Sequence, residues 1–312
     1  MNNRYILCLF LALVTFSNCK NQPVTSKVSV EISNQNWFNA DSLLQHVQVL
    51  SSDVFEGRRT GTAGAEKAKT YIIEALHRYN VGPLGAHYEQ HFDFKNGNKE
   101  YKGVNILAGI KGTEYPKEYI VLSAHYDHEG IKNGKIYNGA DDDASGISAL
   151  IAFAEYFQKN PPKHSVILAA VDAEELGLVG SKYFVENSIV PIKSIKLNIN
   201  MDMISRSDKN ELYAVGSYHY KQLEPVIKSV APTGNIQLTI GHDGSDHLED
   251  WTYASDHASF HEKHIPFIYF GVEDHEDYHQ PTDDFENIHP DFYKNAVHTI
   301  MAVFQKLDTM QL

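Results

Sequence analysis

A short apolar run from Ser165 to Val171 stops at a cluster of carboxylates, Asp172, Glu174 and Glu175, followed by Leu176-Gly177. Adjacent acids just past a strand end suit divided labour: one carboxylate can hold a metal ion while its neighbour moves a proton. Further donors of the same kind fall at or shortly after strand-like segments elsewhere, at His125, Asp142, Asp202 and His279. A mixed histidine and carboxylate set without cysteine suits zinc or a similar divalent ion, and a carboxylate can bridge two ions about 3.5–4 Å apart. A lone member of the set would read as a packed or solvated side chain. The inference rests on their joint, ordered appearance.

The local patterns are His125-x-Asp127, Gly139-Ala-Asp-Asp-Asp-Ala-Ser-Gly146, Glu174-Glu175-x-Gly177, Asn200-Met-Asp202 and Tyr278-His279-x-Pro281. Over about Trp37 to Leu307 they resemble the co-catalytic zinc aminopeptidases, a family that includes bacterial leucyl aminopeptidases, aminopeptidase Y and the glutamate carboxypeptidases. The resemblance implies a zinc exopeptidase α/β sandwich holding two Zn2+ ions or other divalent ions. Carried over by position, it implies that Asp142 bridges both ions, that His125 and Asp202 complete one centre, and that Glu175 and His279 complete the other. Glu174 is then the general base. Asp127 is expected to orient the His125 imidazole through its carboxylate. Tyr278 either helps to bind an oxyanion or packs beneath the site loop.

Ser255-Asp-His-Ala-Ser-Phe260 resembles a family segment near the substrate pocket, with Ser259 where proline is common. Asp256 and His257 are therefore candidates for the pocket wall or its support. The implied reaction is hydrolysis of the amino-terminal bond of peptides or proteins with free amino termini, by water activated between the ions. Three alternatives share the fold: a glutaminyl cyclase-like single-zinc acyltransferase, a carboxypeptidase or dipeptidase, and a non-catalytic binding domain. Cyclases resemble the peptidases around the glutamate pair but lack the Asp-Asp-Asp-Ala-Ser-Gly pattern. A binding domain should have lost ligands or the base.

The remaining polar residues receive no chemistry. Either Asp141 or Asp143 is expected to cap a helix beginning near Ala144. His128, His242, His247, His261, His264 and His275 belong to no motif and are expected on the surface or in loops. Asp243-Gly-Ser-Asp246 lacks the spacing and closing glutamate of a calcium loop, so it reads as a polar turn.

The elements that must position these groups follow from periodicity. Leu43, Leu44, Val47 and Leu50 have helical spacing, with Asp41 as the expected N-cap, and Ala68, Ile72, Ala75, Leu76 and Tyr79 form a second stripe after a glycine-rich turn. Strands are expected near 104–108, 119–124, 195–201, 211–215, 236–240 and 265–270, besides the opening run. Helices are expected after the aspartate triplet, near 181–186, near 218–230 and at the C-terminus through Phe292, Ala296, Ile300, Val303 and Leu307. Alternating strands and helices imply one mixed, mostly parallel central sheet with helices on both faces.

The chain has 40 Asp plus Glu against 27 Lys plus Arg, a balance that argues against nucleic acid as a partner. Arg4 precedes an apolar run from Tyr5 to Phe16, the length of a signal-peptide core, and Cys19 follows as in a bacterial lipobox, though Phe16 and Asn18 depart from its usual residues. The expected organisation is a lipoprotein signal over 1–18, a flexible tether over 19–36 and one catalytic domain over 37–312. Export to the periplasm or cell surface with a lipid anchor in a bacterial membrane at Cys19 follows from that reading.

Overall fold

The computed structural model describes residues 36–312, so the expected signal, Cys19 and nearly all of the tether lie outside the described residues. Asn36–Leu312 forms one compact unit. Its elements are α1 (Ala40–Leu50), α2 (Ala63–Arg78), β1 (Gly82–Pro83), β2 (Glu89–Asn96), β3 (Lys99–Ile110), β4 (Tyr115–His125), β5 (Gly130–Lys132) and β6 (Lys135–Tyr137). There follow α3 (Gly146–Phe157), β7 (His164–Val171), α4 (Val179–Glu186), β8 (Ile195–Met201), β9 (Glu211–Val215), α5 (Glu224–Lys228), β10 (Gln237–Ile240), α6 (His257–Glu262), β11 (Phe267–Gly271) and α7 (Pro290–Asp308).

The main sheet runs β1-β3-β7-β4-β8-β11-β9-β10, with β2 paired to β3. Its centre, β7-β4-β8-β11, is parallel, and the pairings of β3 with β7 and of β9 with β11 are antiparallel. The four central strands therefore deliver their carboxyl ends to one edge, where loops converge over a rigid base. Those loops carry the glutamate pair, His125, Asp202 and the segment leading to His279.

Alternation along the strands splits the core in two. Ile120, Leu122, Val166, Leu168 and Ala170 face a large cluster with α1, α2, α3 and α7, whereas Val121, Ile167 and Val171 pack with Phe184 of α4 and Phe260 of α6. Every residue of β7 is buried, because both of its faces are covered. In β8 the two asparagines are buried as well. Asn198 and Asn200 join a chain in which Asn198 Nδ2 donates to Ser123 Oγ (2.8 Å), Ser123 Oγ to Asn200 Oδ1 (2.7 Å) and Asn200 Nδ2 to Ser255 Oγ (2.9 Å).

Several sequence expectations are corrected. The cap of α1 is Asn39, whose side chain accepts from Ser42 N, and not Asp41, which sits in the first turn. The helix expected over 218–230 shrinks to α5, since 218–223 is occupied by turns and Pro225 is tolerated only in a first helical turn. Strand β2 and helix α6 are additional elements. β2 is an exposed edge strand with one buried residue, Phe92, and so offers little apolar periodicity. No helix among the described residues is long and apolar enough to cross a membrane.

Candidate active site

His125 is the last residue of β4, and its ring orientation is set locally. Nδ1 lies 3.1 Å from the carbonyl oxygen of Asp127, so that nitrogen carries the proton and Nε2 presents a lone pair. Nε2 stands 3.1 Å from Asp142 Oδ1 and 3.5 Å from Asp202 Oδ1. The Asp127 carboxylate, expected to orient this ring, stands beside the same nitrogen, with Oδ1 at 3.7 Å, farther than the main-chain oxygen. The carboxylate is turned toward the next strand end, where Oδ1 accepts from Glu174 N (3.0 Å) and Oδ2 from Thr60 Oγ1 (3.3 Å).

Asp142 occupies the middle of the cluster. Its Oδ1 faces His125, and its Oδ2 lies 3.2 Å from His279 Nε2. Glu175 Oε2 is 3.4 Å from the same His279 nitrogen. The loop bearing Asp142 is held from two sides. Asp283 accepts from the backbone N–H of Asp141 (2.9 Å) and Asp142 (3.1 Å), and buried Arg58 donates to the carbonyls of Leu50, Tyr126, Asn138 and Gly139. Asp143 accepts from the N–H of Gly146, the first residue of α3, at 2.8 Å, while Asp141 accepts from Ser205 N and Oγ and faces His275 Nε2 at 3.0 Å.

Glu174 and the candidate ligands His125, Asp142, Asp202 and His279 line one cavity of about 70 Å³, whose apolar wall is Met203, Trp251, Ala254, Tyr269 and Val272. A larger cavity of about 380 Å³ between Arg206–Glu211 and Glu273–Glu276 shares only Asp274 with it and contains none of the candidate ligands. Burial raises the Glu174 carboxyl well above the usual carboxylate range. His125 opposes the shift, and Asp256, Asp202 and Glu175 reinforce it. The Tyr278 ring stacks on His279 at 3.9 Å between centroids. Burial, then the carboxylates of Asp142 and Asp202, push its hydroxyl pKa upward, so it stays a proton donor.

Asp256 and His257 lie behind this wall. Both carboxylate oxygens of Asp256 are buried without a hydrogen-bond partner, and burial raises its pKa to about 7. His257 stacks on Tyr269 at 4.6 Å and donates from Nε2 to the Trp251 carbonyl (2.8 Å); burial lowers its pKa to about 3, which keeps it neutral. Ser259, in the position where proline was the comparison, is hydrogen-bonded to Ser181 Oγ at 2.8 Å. Asp243 and Asp246 form a polar turn by accepting backbone N–H groups of Tyr218, His242 and Leu248.

Two of the histidines expected on the surface or in loops lie in loops but are buried. His242 stacks on Trp251, and His128 packs against the candidate ligands, with Nδ1 2.8 Å from Glu175 Oε1 and 3.5 Å from Asp142 Oδ2. The available signal was its position three residues after His125, on the loop that leaves β4. His247 and His264 are exposed as expected.

These residues fit divalent cations. The carboxylates of Asp142, Glu175 and Asp202 have only histidines as ion-pair partners among the described residues, and His125-Asp142-Asp202 and His128-Asp142-Glu175 each bring three donor atoms within 4.8 Å of one another. Glu175 Oε1 and His128 Nδ1 are buried and close, yet not aligned as a hydrogen bond, which is how ligands of a shared cation stand.

Aminopeptidase YwaD of Bacillus subtilis is 28% identical over 212 residues, covering 63% of this chain and 43% of that protein. The chain spans less than half the length of the first curated relatives that it matches. The fold matches a Zn-dependent exopeptidase of Parabacteroides distasonis (TM-score 0.67, 19% identity, 86% of this chain and 98% of the other). It also matches the glutaminyl cyclase of Porphyromonas gingivalis (TM-score 0.70, 20% identity, 87% and 99%). Residues 105–304, which contain every strand end of the cluster, match the profile of peptidase family M28. The chain therefore belongs to peptidase family M28, a family of zinc metallopeptidases.

Proposed function

We propose that the protein is an aminopeptidase that removes amino-terminal residues from peptides with a free amino terminus, using two zinc or similar divalent ions. The observation that carries this reading is the position of Asp142, whose two oxygens face separate donor groups, His125 with Asp202 on one side and Glu175 with His279 on the other. His125 and Asp202 would hold one ion, Glu175 and His279 the second, with Asp142 shared. Bound ions supply Lewis acidity, polarising a carbonyl and acidifying water.

The chain's own groups do the rest. Glu174 in the same cavity takes a proton from water and passes it to the departing amine, a role suited by the raised pKa of its half-buried carboxyl. Tyr278 donates its hydroxyl to the oxygen on which charge develops. Met203, Trp251 and Val272 bound the space for the first side chain and limit water.

Glutamine cyclisation is the second reading, favoured by the fold match to a cyclase. The complete His125-Asp142-Asp202 group weighs toward the peptidase. Replacing Glu174 by Gln tests the scheme: zinc content is expected to persist while release of amino-terminal residues falls by about 10²-fold or more. Full aminopeptidase activity in that variant would overturn it, and cyclisation of amino-terminal glutamine by the wild type in place of hydrolysis would select the second reading. We also propose that the enzyme acts outside the cytoplasm, tethered through a lipid at Cys19; Cys19→Ala is expected to release it from membranes.

A further inference from the structure

His128 is fully buried, at 0% exposure, and neither of its ring nitrogens has a hydrogen-bond partner. An unpaired buried polar group is costly, so an imidazole with two is not accounted for by packing alone. Glu175 Oε1, 2.8 Å from His128 Nδ1, is also buried without a hydrogen bond. An aligned N–H at that distance would make a strong charge-assisted bond. The ring is not so aligned, and Asp142 Oδ2 approaches the same nitrogen at 3.5 Å.

The fold keeps the ring in this place. Gly139 has φ +59°, and a β-carbon there would lie 2.6 Å from His128 Cδ2 and collide with the Asp142 carbonyl. Only glycine lets the loop bearing Asp142 close over the imidazole. Arg58 ties the two sides together, donating to the Tyr126 carbonyl ahead of His128 and to the Gly139 carbonyl opposite it.

His279 reaches the same carboxylates differently. Its side chain is 37% exposed, it meets Glu175 through Oε2 where His128 meets Oε1, and the two rings stand 6.0 Å apart at 52°. Glu175 and Asp142 thus lie between an inner and an outer imidazole.

The geometry points to His128 as an additional nitrogen ligand of the ion held by Asp142 and Glu175, giving that centre two imidazoles and the His125-Asp202 centre one. The inference rests on the two-ion reading. Its consequence is a centre that keeps a fixed inner nitrogen ligand when the outer His279 moves.

The test uses the full chain with histidine labelled by a spin-half nitrogen isotope and loaded with a spin-half cadmium isotope, whose signal is split by each directly bonded nitrogen. Two cadmium resonances are expected, a doublet from His125 and a triplet from His128 with His279. His128→Asn should turn the triplet into a doublet. Two doublets in the wild-type protein would overturn the inference and leave the two-ion reading standing, including the case in which His128 merely supports Glu175. One resonance or none would overturn the two-ion reading itself.

Discussion

The carboxyl edge of the central strands and the helical layer behind it are built on opposite principles. At the edge, Asp142, Glu175, Asp202 and three imidazoles crowd within a few ångströms, and buried polar atoms of His128, Glu175 and Asp256 lack hydrogen bonds. In the layer formed by α1, α2, α3 and α7, apolar side chains interlock, and eleven of the twelve residues of α3 are buried. Crowding ionisable groups out of water destabilises a fold, and apolar burial stabilises it. The site is therefore held in an unfavourable arrangement by packing elsewhere, which is the arrangement a cation would relieve.

The sharpest way to break this contrast is Asp142→Asn. Hydrolysis is expected to fall by about 10³-fold or more, since the shared carboxylate serves both centres. Added zinc should no longer raise the melting temperature as it does for the wild type. Activity within tenfold of wild type would separate the cluster from the chemistry.

The mirror experiment is Phe304→Ala in α7. Phe304 is buried edge-on against Phe153 and Phe157, at 5.6 and 5.4 Å between centroids. Unfolding in denaturant should show a loss of about 3–5 kcal/mol. Turnover per folded molecule should stay within about twofold, and a large fall in turnover would mean that the layer does more than support.

A pH series sharpens the division. Burial, aided by Arg78, lowers His46 in α1 from 6.5 to about 4. Because the folded value lies below the unfolded one, this stabilisation is present above pH 6.5 and is lost as pH falls toward the folded pKa. The loss should reach about 2 kcal/mol at pH 5. His46→Phe should flatten the slope of stability against pH, and an unchanged slope would assign acid sensitivity elsewhere, His257 being the next group with a lowered pKa. The smallest expected effect is at the start of α1, where Asn39→Ala should cost about 1 kcal/mol and Asp41→Ala much less, read from melting curves.

That last pair also marks where sequence reading stopped. Asn and Asp are both good caps, and only the extended backbone of Asn39, φ −81° and ψ 112°, distinguishes the residue outside the helix from the one inside it. Strand β8 was legible to the residue because its alternation is strict, yet that alternation did not reveal that Asn198 and Asn200 are buried. A polar position looks the same whether water or another element covers it. β2 was not legible because a solvent-exposed edge strand needs no apolar face.

What the sequence by itself determined is chemistry and local geometry: which residues carry nitrogen and carboxylate donors, and which apolar runs end beside them. Side-chain type and backbone period are properties of neighbours along the chain. What the tertiary structure alone decided is juxtaposition. His125 meets Asp202 because β4 and β8 are parallel partners, the Asp127 carboxylate serves Glu174 because β7 lies on the other side, and His128 turns inward because Gly139 leaves room for its ring. Strand order and close packing set those contacts, and they depend on residues far apart in sequence.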